Sequence, residues 1–531
     1  MREDGVRAGQ GMVAAPHDLA VAAGVQILRQ GGNALEAAIA TAAAIAVVYP
    51  HMNHLGGDGF WLIREPSGRV RYIEACGPAG AKASIASYRD LGHEIIPQRG
   101  PLAALTVPGA IGGWRMAQEA ARAWGGRLDL PDLLEPAIRH ARAGVPVSRS
   151  QAALTRDKRT ELQDAPGFAR TFLPGGQAPD IGQILVQPGL AGTLEQLAHA
   201  GLEDFYRGDV GREIAADLDR IGSLVTRADL LAYRAVARAP LQLALACGTL
   251  YNAPPPTQGL ASLMILGQFE RLNVRQAESF DHVHGLLEAT KRAFLVRDRV
   301  VRDPDHLGED VSTYLTPAAL AREAGRISMR RALPWPHTAA PGDTVWLGAA
   351  DASGLVVSYI QSIFFEFGSG CVLPGTGILM QNRGASFSLD PTALNPLAPG
   401  RRPFHTLNPA LAVLADGRVM AYGTMGGEGQ PQTQAAVFSR HVLHGQPLAQ
   451  AIAAPRWLLG RTWGSSVTNL RMENRFDESL IRALEAAGHQ IEILPVAFSD
   501  TMGHAGAVIL TPGSGLEGAH DPRADGGAAG V

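Results

Sequence analysis

The sequence predicts an α+β fold in which strands near both ends of the chain enclose a long helical middle. Strand-like apolar runs bounded by glycine and proline turns occur at 60–73 and again after residue 344. Between about residues 108 and 330 the pattern is mainly helical. Apolar residues make up 46% of the chain and charged residues 18%, so there is enough apolar material for a large buried core.

The N-terminal region predicts two helices followed by two strands. Residues 17–50 are rich in alanine and periodic, with Gly31-Gly32 as the break between the helices. The apolar run 35–49 is too short to cross a membrane and therefore suits a buried helix. The segments 60–63 and 69–73 have strand-like composition and flank a Pro-Ser-Gly turn.

The middle and the C-terminal part supply the other predicted elements. After residue 344, short strands alternate with glycine turns, and the first two strands are 344–351 and 355–362. Their connection, 351–354, contains serine and glycine and is predicted to be a tight turn. The predicted helices of this part of the chain are 132–143, 192–199, 280–296, 447–453 and 477–487.

Thr344 opens the first of these strands directly after a segment that cannot continue a helix. The segment 334–343 contains three prolines and a glycine. A hydroxyl residue placed there is typical of a precursor that cuts its own chain. The new terminus would carry a hydroxyl nucleophile and an α-amine that acts as its base. Many threonines begin strands only because of their β-propensity, so this feature alone does not decide the function.

Short motifs throughout the chain support the interpretation of Thr344 as a nucleophile. In their order, they resemble the gamma-glutamyltransferase family, a branch of the N-terminal nucleophile hydrolases, over some 500 residues. The strings that carry the resemblance include Gly11-Met-Val-Ala-Ala-Pro16, Asn53-His-Leu-Gly-Gly-Asp-Gly-Phe60, Thr106-Val-Pro-Gly109, Asn252-Ala-Pro-Pro-Pro256, Glu288-Ala-Thr-Lys291, Phe367-Gly-Ser-Gly370, Gly426-Gly427, Ala454-Pro-Arg456 and Asp521-Pro-Arg523.

The resemblance implies a four-layer αββα sandwich and a precursor that is cut between Asp343 and Thr344. A large chain, 1–343, and a small chain of about 20 kDa, 344–531, would together form one domain. It also implies that Thr344 is the nucleophile and that the hydroxyl of Ser362 hydrogen-bonds and tunes it, although a strand serine bonded to the backbone is the alternative. A dimer of such processed heterodimers is plausible, and no cofactor is expected.

Gly426 and Gly427 match the turn that forms the family's oxyanion hole. Glycines suit this task because two backbone N–H groups must converge on a developing negative oxygen without side chains in the way. The segment does not predict a phosphate-binding loop, since no Gly-Lys-Ser/Thr follows it. An ordinary turn is the alternative interpretation.

The substrate pocket is where the chain departs from the family. Gamma-glutamyl enzymes hold the amino-acid end of glutamate with an arginine, an asparagine, a glutamine, an aspartate and two serines. The aspartate pairs with the substrate ammonium, and its loss is expected to weaken glutamyl recognition by about 2–5 kcal/mol. The matching positions here are, in that order, Glu74, Phe364, Arg383, Ser386, His405 and Thr406.

Arg383 introduces a cationic fork that suits a carboxylate. With His405 as a second donor, the pocket predicts an anionic substrate without an ammonium group. This pattern looks like oxamate amidohydrolases and related acylases, so a small carboxylate-bearing amide is the expected substrate and oxamate the favoured one. The alternative for Arg383 is a structural ion pair, and the candidate partners are Glu366, Glu428 and Glu74.

Three other functions stay open from the sequence. A gamma-glutamyltransferase or glutathione hydrolase would have to bind glutamate through other residues. A side-chain acylase for β-lactams would use Phe364 and Phe365 as an apolar wall. A non-catalytic binding protein with the same fold would remain an uncut chain of 56 kDa.

Composition argues against several other classes. The formal net charge is −3 with dispersed basic residues, which argues against nucleic-acid binding. Three cysteines in a long chain indicate no disulfide framework. The first eleven residues contain no apolar stretch of the signal-peptide type, which favours a cytoplasmic protein without a membrane segment. No metal is expected, because the nearby histidine pairs lack a third ligand at metal spacing; these pairs are His51 with His54 and His282 with His284.

Overall fold

The computed structural model describes residues 5–335, 343–460 and 469–531. Residues 336–342, which belong to the proline-containing segment 334–343 before Thr344, lie outside these ranges. The strands, in chain order, are β1 (Val6–Ala8), β2 (Gly11–Ala15), β3 (Asp58–Arg64), β4 (Val70–Ala75), β5 (Val145–Pro146), β6 (Ile184–Leu185), β7 (Val236–Arg238), β8 (Leu241–Leu245), β9 (Gly248–Asn252), β10 (Asp343–Asp351), β11 (Val356–Phe364), β12 (Ala410–Leu414), β13 (Val419–Thr424), β14 (Trp457–Leu459), β15 (Leu470–Glu473), β16 (Ile491–Leu494), β17 (Ala505–Thr511), β18 (Gly515–His520) and β19 (Gly527–Gly530).

The helices are longest in the first half of the chain and between residues 259 and 300. They are α1 (Asp18–Arg29), α2 (Ala34–Val48), α3 (Ile85–Asp90), α4 (Ala110–Ala123), α5 (Leu130–Ala143), α6 (Arg149–Leu162), α7 (Phe168–Phe172), α8 (Pro188–Ala200), α9 (Asp204–Arg207), α10 (Asp209–Ile221), α11 (Arg227–Ala232), α12 (Gly259–Arg271), α13 (Phe280–Val300), α14 (Pro317–Ala324), α15 (Gly429–Phe438), α16 (Leu448–Ala453) and α17 (Glu478–Ala486). None of the helices in the described ranges has both the length and the apolar character needed to cross a membrane.

Two seven-stranded antiparallel sheets form the centre of the molecule. Sheet I has the order β1-β18-β17-β13-β12-β9-β8, and sheet II has the order β19-β2-β10-β11-β3-β4-β7. The sheets pack face to face through apolar side chains, among them Phe60, Trp346 and Val508. Helices α1, α2 and α4 cover the outer face of sheet II, and α12, α13 and α15 lie over sheet I. This arrangement is the four-layer αββα sandwich, and the predicted fold class is confirmed.

The buried helix α2 shows how the sequence produces this packing. Asn33 caps its first turn, and Glu36 bonds back to the Asn33 backbone, which closes a capping box. Every residue from Ala34 to Val48 is buried, as expected for a helix that is apolar on all sides. The predicted break at Gly31-Gly32 separates α2 from α1, and both predicted helices are therefore confirmed.

Most of the other predicted elements are present with shifted ends. The strands predicted at 60–63 and 69–73 are β3 and β4, and the pair predicted after residue 344 is β10 and β11. The mainly helical pattern of the middle concealed five strands: β5 and β6, which pair with each other, and the closely spaced β7, β8 and β9. They were missed because they are short, whereas the helices around them dominate the periodicity. β7 is the edge strand of sheet II beside β4, and β8 is the edge strand of sheet I beside β9, which in turn pairs with β12.

Two C-terminal motifs meet in a buried ionic network. Asp521 pairs with Arg456 and with Arg523, whose Nη1 lies 2.9 Å from its Oδ1. Arg523 also binds Glu473, with 2.8 Å between Nε and Oε1. Burial alone would raise the pKa of Asp521, but the two arginines reverse this effect and hold the pKa below its ordinary value. This network joins β15 to the segment that follows β18.

Candidate active site

Thr344 lies at the start of β10, where its side chain is fully buried. The Nε2 group of Gln430 donates a hydrogen bond to Thr344 Oγ1 over 3.2 Å. Gln430 belongs to the first turn of α15, and its own Oε1 accepts from the backbone N–H of Asn408. The hydroxyl of Thr344 is therefore held against the N-terminal turn of a buried helix.

The strand that contains Thr344 is irregular at this point. Asp343 pairs with Phe364 and Val345 pairs with Gln361, so the two strands shift in register around Thr344. Such a bulge changes the direction of a side chain, and bulges are frequent beside active sites. Ser362 lies in this part of β11, where its Oγ accepts from the backbone N–H of Phe364 over 2.8 Å. Ser362 is thus on the strand next to Thr344 and bonds the backbone, as in the alternative interpretation; a hydrogen bond from its hydroxyl to Thr344 stays a prediction.

Phe364, at the end of β11, has a strained backbone. Its φ angle is +82°, in the left-handed region that a bulky residue seldom adopts. The N–H of the next residue, Phe365, donates to Asn382 Oδ1 over 3.0 Å, which helps to fix the turn. The strained turn aims the Phe364 ring at Arg383, whose guanidinium carbon lies 3.9 Å from the ring centroid.

Gly426 and Gly427 form the turn between β13 and α15. Their φ angles are +114° and +54°, which glycine accepts without strain. The carbonyl oxygens of both glycines accept hydrogen bonds. Within the described part of the chain, no acceptor binds their N–H groups. Both N–H groups therefore stay open among the described residues, and their role as an oxyanion hole stays a prediction.

A buried chain of polar contacts connects this turn to the substrate pocket. Glu428 accepts from Arg297 over 2.7 Å, and Arg297 also donates to Gln258 over 2.9 Å. The Gln258 amide then donates to the carbonyls of Gly427 and Thr406 over 2.8 and 2.6 Å. One side chain therefore fixes both the oxyanion turn and the residue beside Arg383.

Arg383 is completely buried and incompletely bonded. Its Nη1 lies 3.4 Å from Thr406 Oγ1, while Nε and Nη2 have no hydrogen-bond acceptor among the described residues. Burial lowers the pKa of Arg383 to about 9. A buried guanidinium with open donors is suited to bind an anion, because unsatisfied buried donors cost free energy until they find an acceptor.

The three glutamates considered as partners of Arg383 have other ion pairs. Glu366 lies 3.5 Å from Arg99, and Glu428 binds Arg297. Glu74 pairs with Arg238 and Arg402, with N–O distances of 3.0 and 3.2 Å. Arg383 itself forms no ion pair with any described residue. The structure thus does not support the structural ion pair that was the alternative for Arg383.

His405 and Asp58 complete a group of buried polar atoms around Arg383. Both ring nitrogens of His405 and the Oδ2 atom of Asp58 lack a hydrogen bond among the described residues, and Nε2 lies 3.8 Å from Oδ2. Burial and then the charge of Arg383 lower the pKa of His405 far below its ordinary value, so its ring is neutral. Burial raises the pKa of Asp58 to about 7, although Arg383 and hydrogen bonds oppose this shift.

The sequence analysis did not identify Asp58 or Gln430 as site residues. Asp58 is part of the quoted string Gly-Gly-Asp-Gly, and an acid between glycines just before a buried strand was the available signal. Gln430 follows the glycine turn by three positions and carried no such signal. Two of the predicted residues lie in different surroundings: Ser386 donates to the carbonyl of Phe404 over 3.1 Å, and Glu74 binds the two arginines named above.

A cleft of about 880 Å³ opens between α6 and the loop 496–501. Glu366, two residues after Phe364, forms part of one wall, and Thr501 forms part of the other. Thr501 precedes Gly503, which packs against Gly426 in the glycine turn. Thr344, Arg383, Gly426 and Gly427 are not among the residues that line the cleft, so the cleft lies near the strained turn but is not assigned to the candidate site.

His284 lies in a group that the spacing of histidines in the sequence did not reveal. Its ligand atoms and those of Glu288 and His489 lie within 4.8 Å of one another. Hydrogen bonds account for these positions: His284 bonds Ser328 O and His489, at 2.8 and 2.9 Å, and Glu288 binds Lys291 at 2.7 Å. Lys291 also donates to Leu333 O, so the group fixes the segment before the linker.

Comparison with known proteins identifies the family to which this geometry belongs. The family model described as gamma-glutamyltranspeptidase matches residues 20–531. The chain belongs to this family. It is therefore an enzyme of the N-terminal nucleophile hydrolase class, and the resemblance inferred from the motifs is confirmed.

Proteins that are similar to this chain are named for several different activities. The chain is 54% identical to an oxamate amidohydrolase proenzyme of Klebsiella pneumoniae subsp. pneumoniae over 98% of both chains. It is 40% identical to the glutathione hydrolase-like YwrD proenzyme of Bacillus subtilis, again over 98% of both. The structure of cephalosporin acylase from Bacillus halodurans matches with a TM-score of 0.91 and 33% identity, covering 100% of this chain and 97% of that one.

Proposed function

We propose that the chain is a self-processing N-terminal threonine amidohydrolase that hydrolyses a small carboxylate-bearing amide, with oxamate as the favoured substrate. The observation that carries the proposal is the buried, incompletely bonded guanidinium of Arg383, which lies against Phe364 at the end of the strand next to the predicted nucleophile. Phe364 links the two, because its backbone pairs with Asp343 and its ring contacts Arg383. The similarity to the oxamate amidohydrolase proenzyme supports the same substrate.

The first reaction is cleavage of the chain itself. Thr344 Oγ attacks the carbonyl carbon of Asp343, the peptide C–N bond breaks, and the acyl group moves from nitrogen to oxygen. Water then hydrolyses this ester, which releases the carboxylate of Asp343 and the α-amine of Thr344. The products would be a large chain, 1–343, and a small chain, 344–531, which remain together as one αββα domain.

The second reaction uses the freed terminus on the substrate. The carboxylate of oxamate binds Arg383 and His405, and Thr344 Oγ attacks the amide carbon while the α-amine accepts the hydroxyl proton. The N–H groups of Gly426 and Gly427 stabilise the oxyanion, each contributing about 2.7–4 kcal/mol to lowering the barrier. The protonated amine then gives its proton to the departing ammonia. Water hydrolyses the oxalyl ester and regenerates Thr344.

The same pocket disfavours a gamma-glutamyl substrate. The residues at the positions of the family's asparagine and aspartate are Phe364 and Ser386, which provide no carboxylate for an ammonium group. The positively charged Arg383 would also repel that ammonium group, because two like charges at close range in a buried site destabilise each other. Cytoplasmic location and assembly into a dimer of heterodimers stay predictions.

Ammonia release from oxamate by the purified, processed protein tests the proposal. We expect release by the wild-type protein, bands near 36 and 20 kDa on a denaturing gel, and neither result for Thr344→Ala. A cleaved protein that releases no ammonia from oxamate would remove this substrate. A gamma-glutamyl p-nitroanilide and an acylated cephalosporin, assayed in parallel, then distinguish the glutathione hydrolase and acylase alternatives. An uncut wild-type chain would instead support the non-catalytic alternative.

A further inference from the structure

Asp58 occupies a central position in the candidate site, although the mechanism above assigns it no role. It is the first residue of β3 and pairs in register with Ser362 of β11, the strand next to Thr344. Its Oδ1 atom accepts from the backbone N–H groups of Gly77 and Gly109 over 3.1 and 3.0 Å. These bonds fix the carboxyl group so that Oδ2 lies on the side of His405.

Oδ2 is the unsatisfied atom of this carboxyl group. The side chain is fully buried, and Oδ2 has no hydrogen bond among the described residues. The neighbouring Arg383 and His405 also carry polar atoms without a hydrogen bond, and no hydrogen bond joins any two of these three groups among the described residues. Open polar atoms that converge in a buried space indicate a ligand that supplies the missing bonds.

Among Asp58 and the titratable groups that face it, Asp58 is the acid whose charge changes near neutral pH. Arg383 is the cation, and the His405 ring is neutral. The other facing groups are Cys76, Tyr206, Tyr233 and Tyr359, and burial raises the pKa of each above its ordinary value, so all four are neutral.

A bound substrate carboxylate would place a second anion beside the single cation Arg383. Two carboxylates that share one buried site do not both remain ionised, and one of them takes up a proton. The substrate carboxylate receives the guanidinium, whereas Oδ2 of Asp58 has no donor. Asp58 is therefore the group that is protonated, and its Oδ2 becomes an O–H donor on the side of His405.

We propose that Asp58 takes up one proton when the substrate carboxylate binds and then donates a hydrogen bond to that carboxylate through Oδ2. The proposal rests on the proposed function and adds a specificity-determining residue to it. The proton comes from solvent on binding and returns to solvent on release, so the overall hydrolysis is unchanged. The pocket thereby distinguishes a carboxylate from a neutral or cationic group of similar shape.

The proposal predicts a definite pH dependence for anion affinity. The free enzyme binds best when Asp58 is already protonated, below its pKa of about 7. Above that pKa the affinity falls by up to about tenfold per pH unit, because binding requires the uptake of one proton and the proton concentration falls tenfold per unit. The decline ends at the higher pKa that Asp58 has in the complex.

Isothermal titration of the processed enzyme with oxalate tests this linkage. Oxalate is the hydrolysis product, carries the same carboxylate and has no amide to be cleaved. Titration at pH 8 in two buffers of different ionisation enthalpy gives the number of protons taken up. We expect about 0.9 protons at pH 8 and about 0.1 at pH 6, from the fraction of Asp58 that is ionised in the free enzyme.

Asp58→Asn is the matched control, because asparagine keeps the shape and offers a permanent N–H donor. We expect no proton uptake by this variant and an oxalate affinity that does not change between pH 6 and 8, where Arg383 keeps its charge. Uptake that persists in Asp58→Asn would assign the proton to His405 or to the α-amine of Thr344 and overturn the proposal. If the variant does not fold or process, wild-type titrations decide: a pH-independent affinity would overturn it equally.

These outcomes are separate from those that test the proposed function. If the processed protein hydrolyses oxamate and binds oxalate without proton uptake, the role of Asp58 is wrong and the amidohydrolase function stands. If it neither hydrolyses oxamate nor binds oxalate, the carboxylate pocket itself is wrong, and the role of Asp58 falls with it.

Discussion

Replacement of Arg383 by glutamine removes the one cation that the proposed substrate carboxylate needs. Glutamine retains part of the length and polarity of arginine, so the buried space is altered less than by alanine. The Phe364 ring loses the guanidinium that lies 3.9 Å from its centroid, and Thr406 Oγ1 loses a neighbour at 3.4 Å. Neither contact involves Thr344 or the glycine turn, and self-cleavage is expected to continue.

The expected loss follows from the burial of Arg383. Truncating one partner of a buried, hydrogen-bonded charge pair costs about 2–5 kcal/mol. Since each 1.36 kcal/mol is a factor of ten, kcat/KM for oxamate should fall about 30-fold to 5,000-fold. Arg383→Lys should lose less, because lysine retains the charge but not the planar fork that binds both carboxylate oxygens. The order of activity is therefore wild type, then lysine, then glutamine.

The assay is ammonia release from oxamate by each processed variant, with kcat and KM determined separately. Arg440 is a matched control, since it is also fully buried but binds Glu278 in a different part of the molecule. Arg440→Gln tests how much activity is lost through destabilisation alone. A processed Arg383→Gln enzyme whose kcat/KM lies within threefold of the wild-type value would refute the carboxylate pocket.

Two further changes test the positioning of Thr344 and the stability of the fold. Gln430→Ala removes the donor to Thr344 Oγ1, and we expect slower self-cleavage, measured as the rate at which the 56 kDa band disappears; an unchanged rate would exclude a positioning role. Asp521→Asn should destabilise the protein by about 3–5 kcal/mol at pH 7, because two buried arginines lose their partner. The depressed pKa of Asp521 means that its contribution is present above the ordinary value near 3.9 and is lost as the pH falls through the folded value. The unfolding temperatures of the wild type and Asp521→Asn should therefore differ at pH 7 and approach each other in acid. An equal difference at the two pH values would contradict this account.

Local patterns were sufficient for many individual elements, whereas the four-layer sandwich was predicted from the resemblance to the family. Alanine-rich periodicity marked α1 and α2, and the turn at 351–354 marked the β10–β11 hairpin. Thr344 was recognisable from its place between a proline-rich segment and a strand. The short strands β7–β9 were less accessible, since a strand of three to five residues has too few positions for a period to emerge.

The arrangement of the pocket was less predictable, because it depends on pairs that are far apart in the chain. Asp58 and Arg383 are more than 300 positions apart, and no local pattern indicates that the start of β3 lies near the segment after β11 that contains Arg383. The partner of Arg383 illustrates the same limit. Glu74, Glu366 and Glu428 were equally plausible from composition, and only the tertiary structure assigns each of them to a different arginine.

The order of strands in the two sheets implies that folding precedes the proposed chain cleavage. In sheet II, β10, β11 and β19 of the small chain alternate with β2 and β3 of the large chain, and in sheet I small-chain strands lie between β1 and β9. If the chain is cut at 343–344 as proposed, neither fragment can complete a sheet alone, so the uncut chain must fold before that bond breaks. Afterwards the two pieces share their hydrogen-bonded ladders and stay joined without a covalent link. A protein unfolded after that event would have to reassemble from two molecules, at a rate that depends on concentration, and the intact precursor alone would retain unimolecular folding.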